Sequence, residues 1–371
     1  MRALLWAVLI AWAAIRPAPA AELYREELRI PLAAAGPRGL EALLIRPAGS
    51  QRYPLALLSH GSALGSQSPH EMTPYSHYRQ AVEFARRGFA ALVVMRRGFG
   101  DSGGVPAETH SCCKVASYLR AAKSAADDLR AAIAAMNSRA DVTTKGMIAV
   151  GVSSGGFATV ALTSDPPPGL AAAINFAGGL HRASLTGTGI RNADDETELV
   201  NAFRRLGRTS HTPMLWVYAA NDTYFSPDLA HRLIAAFGAS GGHAQLIDAP
   251  AFGTDGHFLF GGGIPIWTGM VDDFLRQQAL GSRDLLAVSI PALPLPPRLS
   301  ETGRAAFAQY LALGLHKAFA VSPKGDYGYF AEKRSLVKAQ DQAIAGCAKH
   351  APDCALYAID NELAATATAG H

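Results

Sequence analysis

The chain has 371 residues, of which 49% are hydrophobic and 17% charged, with a formal net charge of +4. That length holds one large core and an appendage, and the balance of residue types fits a compact globular enzyme. Lysines and arginines never run beyond a pair, so the charge argues against a nucleic-acid partner.

In chain order, Arg2 precedes the apolar run Ala3 to Ile15, and Arg16-Pro17-Ala18-Pro19-Ala20-Ala21 follows. Small residues at the cleavage positions predict a secretory signal peptide over residues 1–20, cut after Ala20. The uncharged run falls short of the roughly 20 residues that a spanning helix needs, and no later segment is long and apolar enough to span. A periplasmic or secreted protein without a transmembrane segment after signal removal is therefore expected. Four cysteines in an oxidising compartment allow two bridges in three pairings. The neighbours Cys112 and Cys113 would bridge only with strain, whereas Cys347 and Cys354 are better placed as a local pair.

Strand-like Glu22 to Ile30 and Leu40 to Ile45 come first, then Leu55 to Leu58, which ends in Ser59-His60-Gly61-Ser62. Helix-compatible Tyr78 to Arg87 leads to strand Ala90 to Met95, and Ala116 to Met136 leads to strand Met147 to Val150. This alternation of strand and helix predicts a mainly parallel sheet, with chemistry gathered at the carboxyl ends of its strands. After strand Leu170 to Phe176, residues 181–211 are longer than an ordinary connection and are expected either to cap the site or to form a solvent-exposed helical insertion. Strands Pro213 to Ala219 and Ala244 to Ile247 and helix Met270 to Ala279 complete a catalytic domain over 21–285.

Gly151-Val152-Ser153-Ser154-Gly155 sits between strand Met147 to Val150 and the helix-compatible run Phe157 to Thr163. A G-x-S-x-G at such a junction is a nucleophile elbow, in which Gly151 and Gly155 permit a sharp turn that exposes the Ser153 hydroxyl. The remaining parts of that architecture occur in the required order. The His60-Gly61 turn follows an earlier strand and offers the backbone N–H of Ser62, beside that of Ser154, as an oxyanion hole. Asp222 follows the 213–219 strand and is the candidate acid; His257, in Asp255-Gly256-His257, is the candidate base. A serine hydroxyl needs such an imidazole to take its proton and a carboxylate to hold the imidazole's tautomer.

With Ser59-His60-Gly61, Arg97-Gly98-Phe99-Gly100-Asp101-Ser102-Gly103-Gly104, Asn221-Asp222 and Asp255-Gly256-His257 beside the elbow, the stretch from about Leu40 to Leu280 resembles the dienelactone-hydrolase-like branch of the α/β-hydrolase superfamily. The resemblance implies an α/β-hydrolase fold, with the Arg97-to-Gly104 loop near the mouth of the site. The family's namesake enzymes carry a cysteine nucleophile where this chain has Ser153, which favours an ordinary ester, thioester or peptide-like carbonyl.

Asp222 could serve only as a turn residue, and Asp255 is the rival acid, but two residues from His257 it is better suited to shape the loop. His60 is expected to brace the oxyanion loop, Ser154 to act through its backbone, and Ser59 and Ser62 come too early to be nucleophiles. His70 and His77, or His110 with Cys112 and Cys113, lack established ligand spacing, so no metal is expected. The glycines from Gly98 to Gly104 lack the lysine of a phosphate loop, and no cofactor is expected.

The proline-rich stretch 286–300 predicts an extended, stiff linker. Beyond it, strand-like Ala318 to Ser322 and Tyr327 to Ala331, a helix with Ala339, Ala343 and Cys347 along one face, and strand Ala355 to Ile359 predict a small α+β module over 301–371. A Cys347–Cys354 bridge would staple its marginal core. The functional expectation is a secreted serine hydrolase that cleaves a small-molecule carboxylic ester through an acyl-serine. A peptidase or amidase with the same triad and a non-catalytic binding protein on the scaffold are the alternatives.

Overall fold

Short runs of alanine, valine, leucine and isoleucine form the strands of a large sheet because both of its faces are covered by helices. The computed structural model describes residues 22–63, 67–106, 114–180, 193–281, 284–288 and 291–365. The expected leader, Cys112, Cys113 and the first part of the expected cap lie outside the described residues. Eight strands run in the order β1-β2-β4-β3-β5-β6-β7-β8: β1 (Leu23–Ile30), β2 (Leu40–Pro47), β3 (Tyr53–Ser59), β4 (Ala90–Val94), β5 (Val142–Val152), β6 (Leu170–Phe176), β7 (Met214–Ala219) and β8 (Ala244–Ala249). β2 is antiparallel to both β1 and β4; from β4 through β3 to β8 every pairing is parallel.

One face is covered by α2 (Val115–Asn137), α3 (Ser154–Ser164), α4 (Ala193–Gly207) and α5 (Pro227–Gly238), the other by α1 (Tyr78–Arg86) and α6 (Ile264–Gln277). α1 and α6 are also tied by Arg87, 2% exposed, which donates to Glu83 at 2.8 Å and to Asp272 at 2.6 Å.

The cap expectation is corrected for the part that is described. Leu199, Ala202 and Phe203 of α4 are fully buried, and Phe203 stacks on Phe157 and meets Trp216 edge-on. The spacing of these apolar residues makes α4 a member of the flanking layer, not a cover over the site. Helix α6 starts six residues earlier than its apolar pattern suggests, because Pro265 in its first turn supports a start directly after the Gly261-to-Gly263 run.

The C-terminal chain forms a second, antiparallel sheet in the order β10-β9-β11-β12, from β9 (Ala318–Val321), β10 (Tyr327–Phe330), β11 (Ala355–Ile359) and β12 (Glu362–Leu363). β9 divides its residues by the period of two. Phe319 enters an aromatic cluster with Phe307, Tyr310 and Tyr357, while Ala318 and Ala320 meet Ala339, Ala343 and Cys347 of α8 (Leu336–Ala348). Cys347 and Cys354 are bridged. The sequence reading lacked α7 (Glu301–Ala312), which supplies Phe307 and Tyr310, and the short β12.

This unit rests on the large sheet. His316 stacks on Tyr75 with ring centroids 3.9 Å apart, Arg79 pairs with Glu332 at 3.2 Å, and Arg334 pairs with Glu41 at 3.1 Å and Asp101 at 2.9 Å. The proline-rich segment is pinned at its start and in its middle: Arg86 donates to the Leu286 carbonyl at 2.9 Å, and Tyr357 to that of Pro294 at 3.0 Å.

Lys317, 1% exposed, closes the end of α7 by donating from Nζ to the carbonyls of Tyr310, Leu311 and Leu313 at 2.9–3.0 Å. Burial pulls its amine down to about 8, against the opposing pull of Asp360 and Glu332. Between that value and roughly 10.4 in the unfolded chain, the unfolded state binds more protons, so stability from this group rises with pH across the window and falls as pH drops through the folded value. In urea unfolding at about pH 7.5 and about pH 9.5, the wild-type protein should gain about 1–2 kcal/mol relative to Lys317→Met at the higher pH. An unchanged difference would show that burial does not perturb this amine.

Candidate active site

Strand β5 runs directly into α3, and Ser153 takes the single residue between them with φ 56° and ψ −124°. A non-glycine residue in that region costs about 1–3 kcal/mol and persists only where its surroundings enforce it. Here the Ser153 N–H donates to the Phe176 carbonyl at 3.0 Å, and the Ser153 carbonyl accepts from Phe157 and Gly179 at 3.0 and 3.1 Å. The turn also needs its glycines: a Cβ on Gly155 would lie 2.2 Å from the Ser59 carbonyl oxygen, and one on Gly151 would lie 2.1 Å from that of Gly155.

Three strand ends then bring the candidate triad together. His257, in a 3-10 turn (Gly256–Phe258) after β8, places Nε2 3.2 Å from the Ser153 Oγ and Nδ1 3.2 Å from the Asp222 Oδ2. Asp222 lies in the turn after β7, where its other oxygen accepts from the N–H groups of Tyr224 and Phe225, both at 2.8 Å. With those bonds fixing the carboxylate, Nδ1 carries the proton toward Asp222 and Nε2 is left to accept from Ser153. All three residues are at least nine-tenths buried. Tyr224 stacks on the His257 ring at 4.2 Å, so the imidazole is held by an aromatic face as well as by its acid.

Asp255 is not within that line. It accepts from the N–H of His257 at 2.9 Å and from the backbone and hydroxyl of Thr223, and so ties the base loop to the acid loop. His60 lies beneath the oxyanion loop: its Nε2 accepts from the Arg96 N–H at 3.0 Å, which leaves Nδ1 to donate to the Gly61 carbonyl at 2.6 Å. Burial first, then the Arg96 charge, pushes its pKa well below the ordinary histidine value, so the ring stays neutral. A Cβ on Gly61 would lie 3.6 Å from the Ser153 Oγ, which sets this loop against the candidate nucleophile. The N–H groups of Ser62 and Ser154 have no acceptor among the described residues. Two free donors beside a serine can receive a developing negative charge.

The sequence reading missed Arg96 and Tyr224. The doublet Arg96-Arg97 directly after a fully buried strand was the available signal, because a cation at that place must find partners inside the fold. Arg97 finds Asp128 of α2, donating from Nε at 2.7 Å and from its backbone at 2.8 Å, and thereby fixes the loop expected near the mouth of the site. No group of His, Cys, Asp and Glu among the described residues could hold a metal ion, and no described helix is long and apolar enough to cross a membrane.

Parts of the chain are similar to known proteins. Residues 38–201, which contain the His60-Gly61 turn and the elbow, match the model of the X-Pro dipeptidyl-peptidase (S15) family. No curated protein matches the chain. Similar solved structures include a protein described as a CIB-like hydrolase from Thermoplasma acidophilum, 14% identical over 69% of this chain and 99% of that one, with a TM-score of 0.46. An esterase of Pyrococcus furiosus is 14% identical over 69% and 90% of the two chains, with a TM-score of 0.44. A structure described as a dienelactone hydrolase of Klebsiella pneumoniae is 16% identical over 69% and 99%, also with a TM-score of 0.44. By its strand order and its elbow the chain has the α/β-hydrolase fold, and over residues 38–201 it is similar to the X-Pro dipeptidyl-peptidase (S15) family.

Proposed function

We propose that this hydrolase cleaves a carboxylic ester through an acyl-serine intermediate, with Ser153 as nucleophile, His257 as base and Asp222 as the acid that orients it. The observation that carries the reading is the continuous line from the Ser153 hydroxyl through His257 to Asp222, at 3.2 Å and 3.2 Å, beside two N–H donors without acceptors among the described residues. Contacts of that length suit a resting site that tightens when substrate is bound.

In this reading His257 removes the Ser153 proton as the hydroxyl oxygen attacks the ester carbonyl. Asp222 stabilises the imidazolium without taking its proton. The oxyanion forms against the N–H groups of Ser62 and Ser154, each worth roughly 3 kcal/mol in comparable sites. Collapse expels the alkoxide, which takes the proton from His257, and water then releases the acid by the same path in reverse. No cofactor enters any step. An oxidising location, periplasmic or outside the cell, goes with this proposal, supported by the Cys347–Cys354 bridge and the expected leader.

The S15 match favours a second reading, cleavage of an amide or peptide bond. The matched segment ends before Asp222 and His257, so it bears on the nucleophile and the oxyanion loop, which both reactions share. Amide cleavage asks more of the site, since His257 must protonate a departing amine.

A fluorophosphonate should modify Ser153 of the folded protein and leave Ser153→Ala untouched, as read by mass spectrometry. Asp222→Asn should lower kcat by about 10⁴-fold, as in other triads in which the imidazole loses its tautomer. Absence of both adduct and turnover in folded protein would favour the binding-protein alternative. With p-nitrophenyl esters and p-nitroanilides of the same acyl group, Ala-Pro included, the ester should have the higher kcat/KM; a higher value for the amide would make the protein a peptidase.

A further inference from the structure

We propose that Arg96 is the positioning residue of the oxyanion hole, a buried guanidinium that locks the Ser62 wall to the Ser154 wall and acts on the transition state more than on substrate binding. The inference rests on the reading above, in which Ser153 attacks and the backbone N–H groups of Ser62 and Ser154 receive the oxyanion.

Arg96 is 1% exposed and follows β4 by two residues. β4 and β5 are not neighbours, since β3 lies between them. A side chain leaving the end of β4 toward the elbow must therefore pass the end of β3, across two strand spacings of about 4.8 Å each. Arg96 does this and bonds at every stage: Nη1 donates to the Ser59 Oγ at 2.9 Å and to the His60 carbonyl, and Nη2 donates to the Ser154 Oγ at 2.8 Å. Phe99 packs against the group, edge-on to His60 at 4.7 Å and under the guanidinium at 5.4 Å.

The second wall is set through the backbone of the same residue. The Arg96 N–H donates to the His60 Nε2 at 3.0 Å, which obliges Nδ1 to carry the proton and to donate to the Gly61 carbonyl at 2.6 Å. That carbonyl and the Ser62 N–H belong to one planar peptide, and no peptide bond among the described residues is cis, so the two point in opposite directions. Holding the carbonyl back toward His60 aims the Ser62 N–H forward. Arg96 thus fixes one donor through His60 and the other through the Ser154 side chain. The planar fork of arginine is needed for this, because a lysine amine is a single point and cannot serve β3 and the elbow together.

The test begins with fluorophosphonate labelling of the wild-type protein at Ser153 and proceeds with Arg96→Lys, Ser154→Ala and the double variant. For each, kcat/KM is compared with affinity for a trifluoromethyl ketone, which forms a tetrahedral oxyanion on the serine, and for the matching ether, which cannot. Arg96→Lys should lower kcat/KM by about 10–100-fold, the loss expected when a reacting group is misplaced by a fraction of an ångström to an ångström. Ketone affinity should fall in parallel while ether affinity holds, and the double variant should lose less than the product of the two single losses. Ser154→Ala removes only the hydroxyl gripped by the guanidinium and keeps the N–H, so it carries the test if Arg96→Lys fails to fold. Labelled wild type with kcat/KM within about threefold in the variants, or ketone and ether affinities falling together, would overturn the inference alone. Unlabelled wild type would overturn the catalytic reading and the inference with it.

Discussion

The structure turns on a single backbone conformation, that of Ser153. A strand must end and a helix begin within one residue if the hydroxyl is to stand free of the sheet, and only a positive φ does this. An L residue resists that conformation, so the neighbourhood has to enforce it. It does so through carbonyl and amide bonds from β6 and the following turn, and through glycines at 151 and 155 that let α3 lie against the end of β3. The parallel pairing of β5 with β3 on one side and β6 on the other is what makes those contacts possible.

The same topology explains how residues 35 and 104 positions apart come to share hydrogen bonds. Parallel strands joined by helices all end on one edge, and β3, β5, β7 and β8 deliver the candidate oxyanion loop, nucleophile, acid and base there. Two aspartates near His257 then differ by their surroundings. Asp222 is buried, with one oxygen held by backbone donors and the other free for the imidazole. Asp255 spends its oxygens on backbone and hydroxyl donors of the two loops, so its position in sequence, next to the histidine, does not make it the acid.

Much of this was legible in the amino-acid order, because periodicity and glycine placement are local. The elbow, the His60-Gly61 turn, the strand before Asp222 and the small-residue face of α8 all announce themselves within a few residues. What could not be read depends on partners far away. The long connection ahead of β7 suggested a cap, but whether Leu199 and Phe203 cover a site or a sheet is decided by Phe157, Trp216 and Phe237, which sit on other elements. Arg96 looked like the start of a loop, since nothing local shows that Ser59 and Ser154 converge on it. The resting place of the C-terminal unit was equally hidden, as its ion pair from Arg334 to Glu41 spans 293 positions.

That ion pair bears on how the site is held. Glu41 accepts from Arg334 and from the Asp101 N–H at 2.8 Å, and its own carbonyl accepts from the Met95 N–H at 2.8 Å, so both ends of the segment from Met95 to Asp101 are fastened to β2. Arg97 fastens its middle to α2, and Arg96 fastens its start to the oxyanion loop and the elbow. A line of contacts from one unit to the other is not by itself evidence of coupling. It does show that the segment is fixed largely by hydrogen bonds to charged groups. Apolar packing tolerates many rearrangements of similar volume, whereas a buried charged group left half-satisfied is costly in a low-dielectric interior. A site whose donors must be placed to a fraction of an ångström is therefore better anchored by Arg96, Arg97 and Glu41 than by more leucine, and the chain places these charged groups at the end of the most apolar part of its sheet.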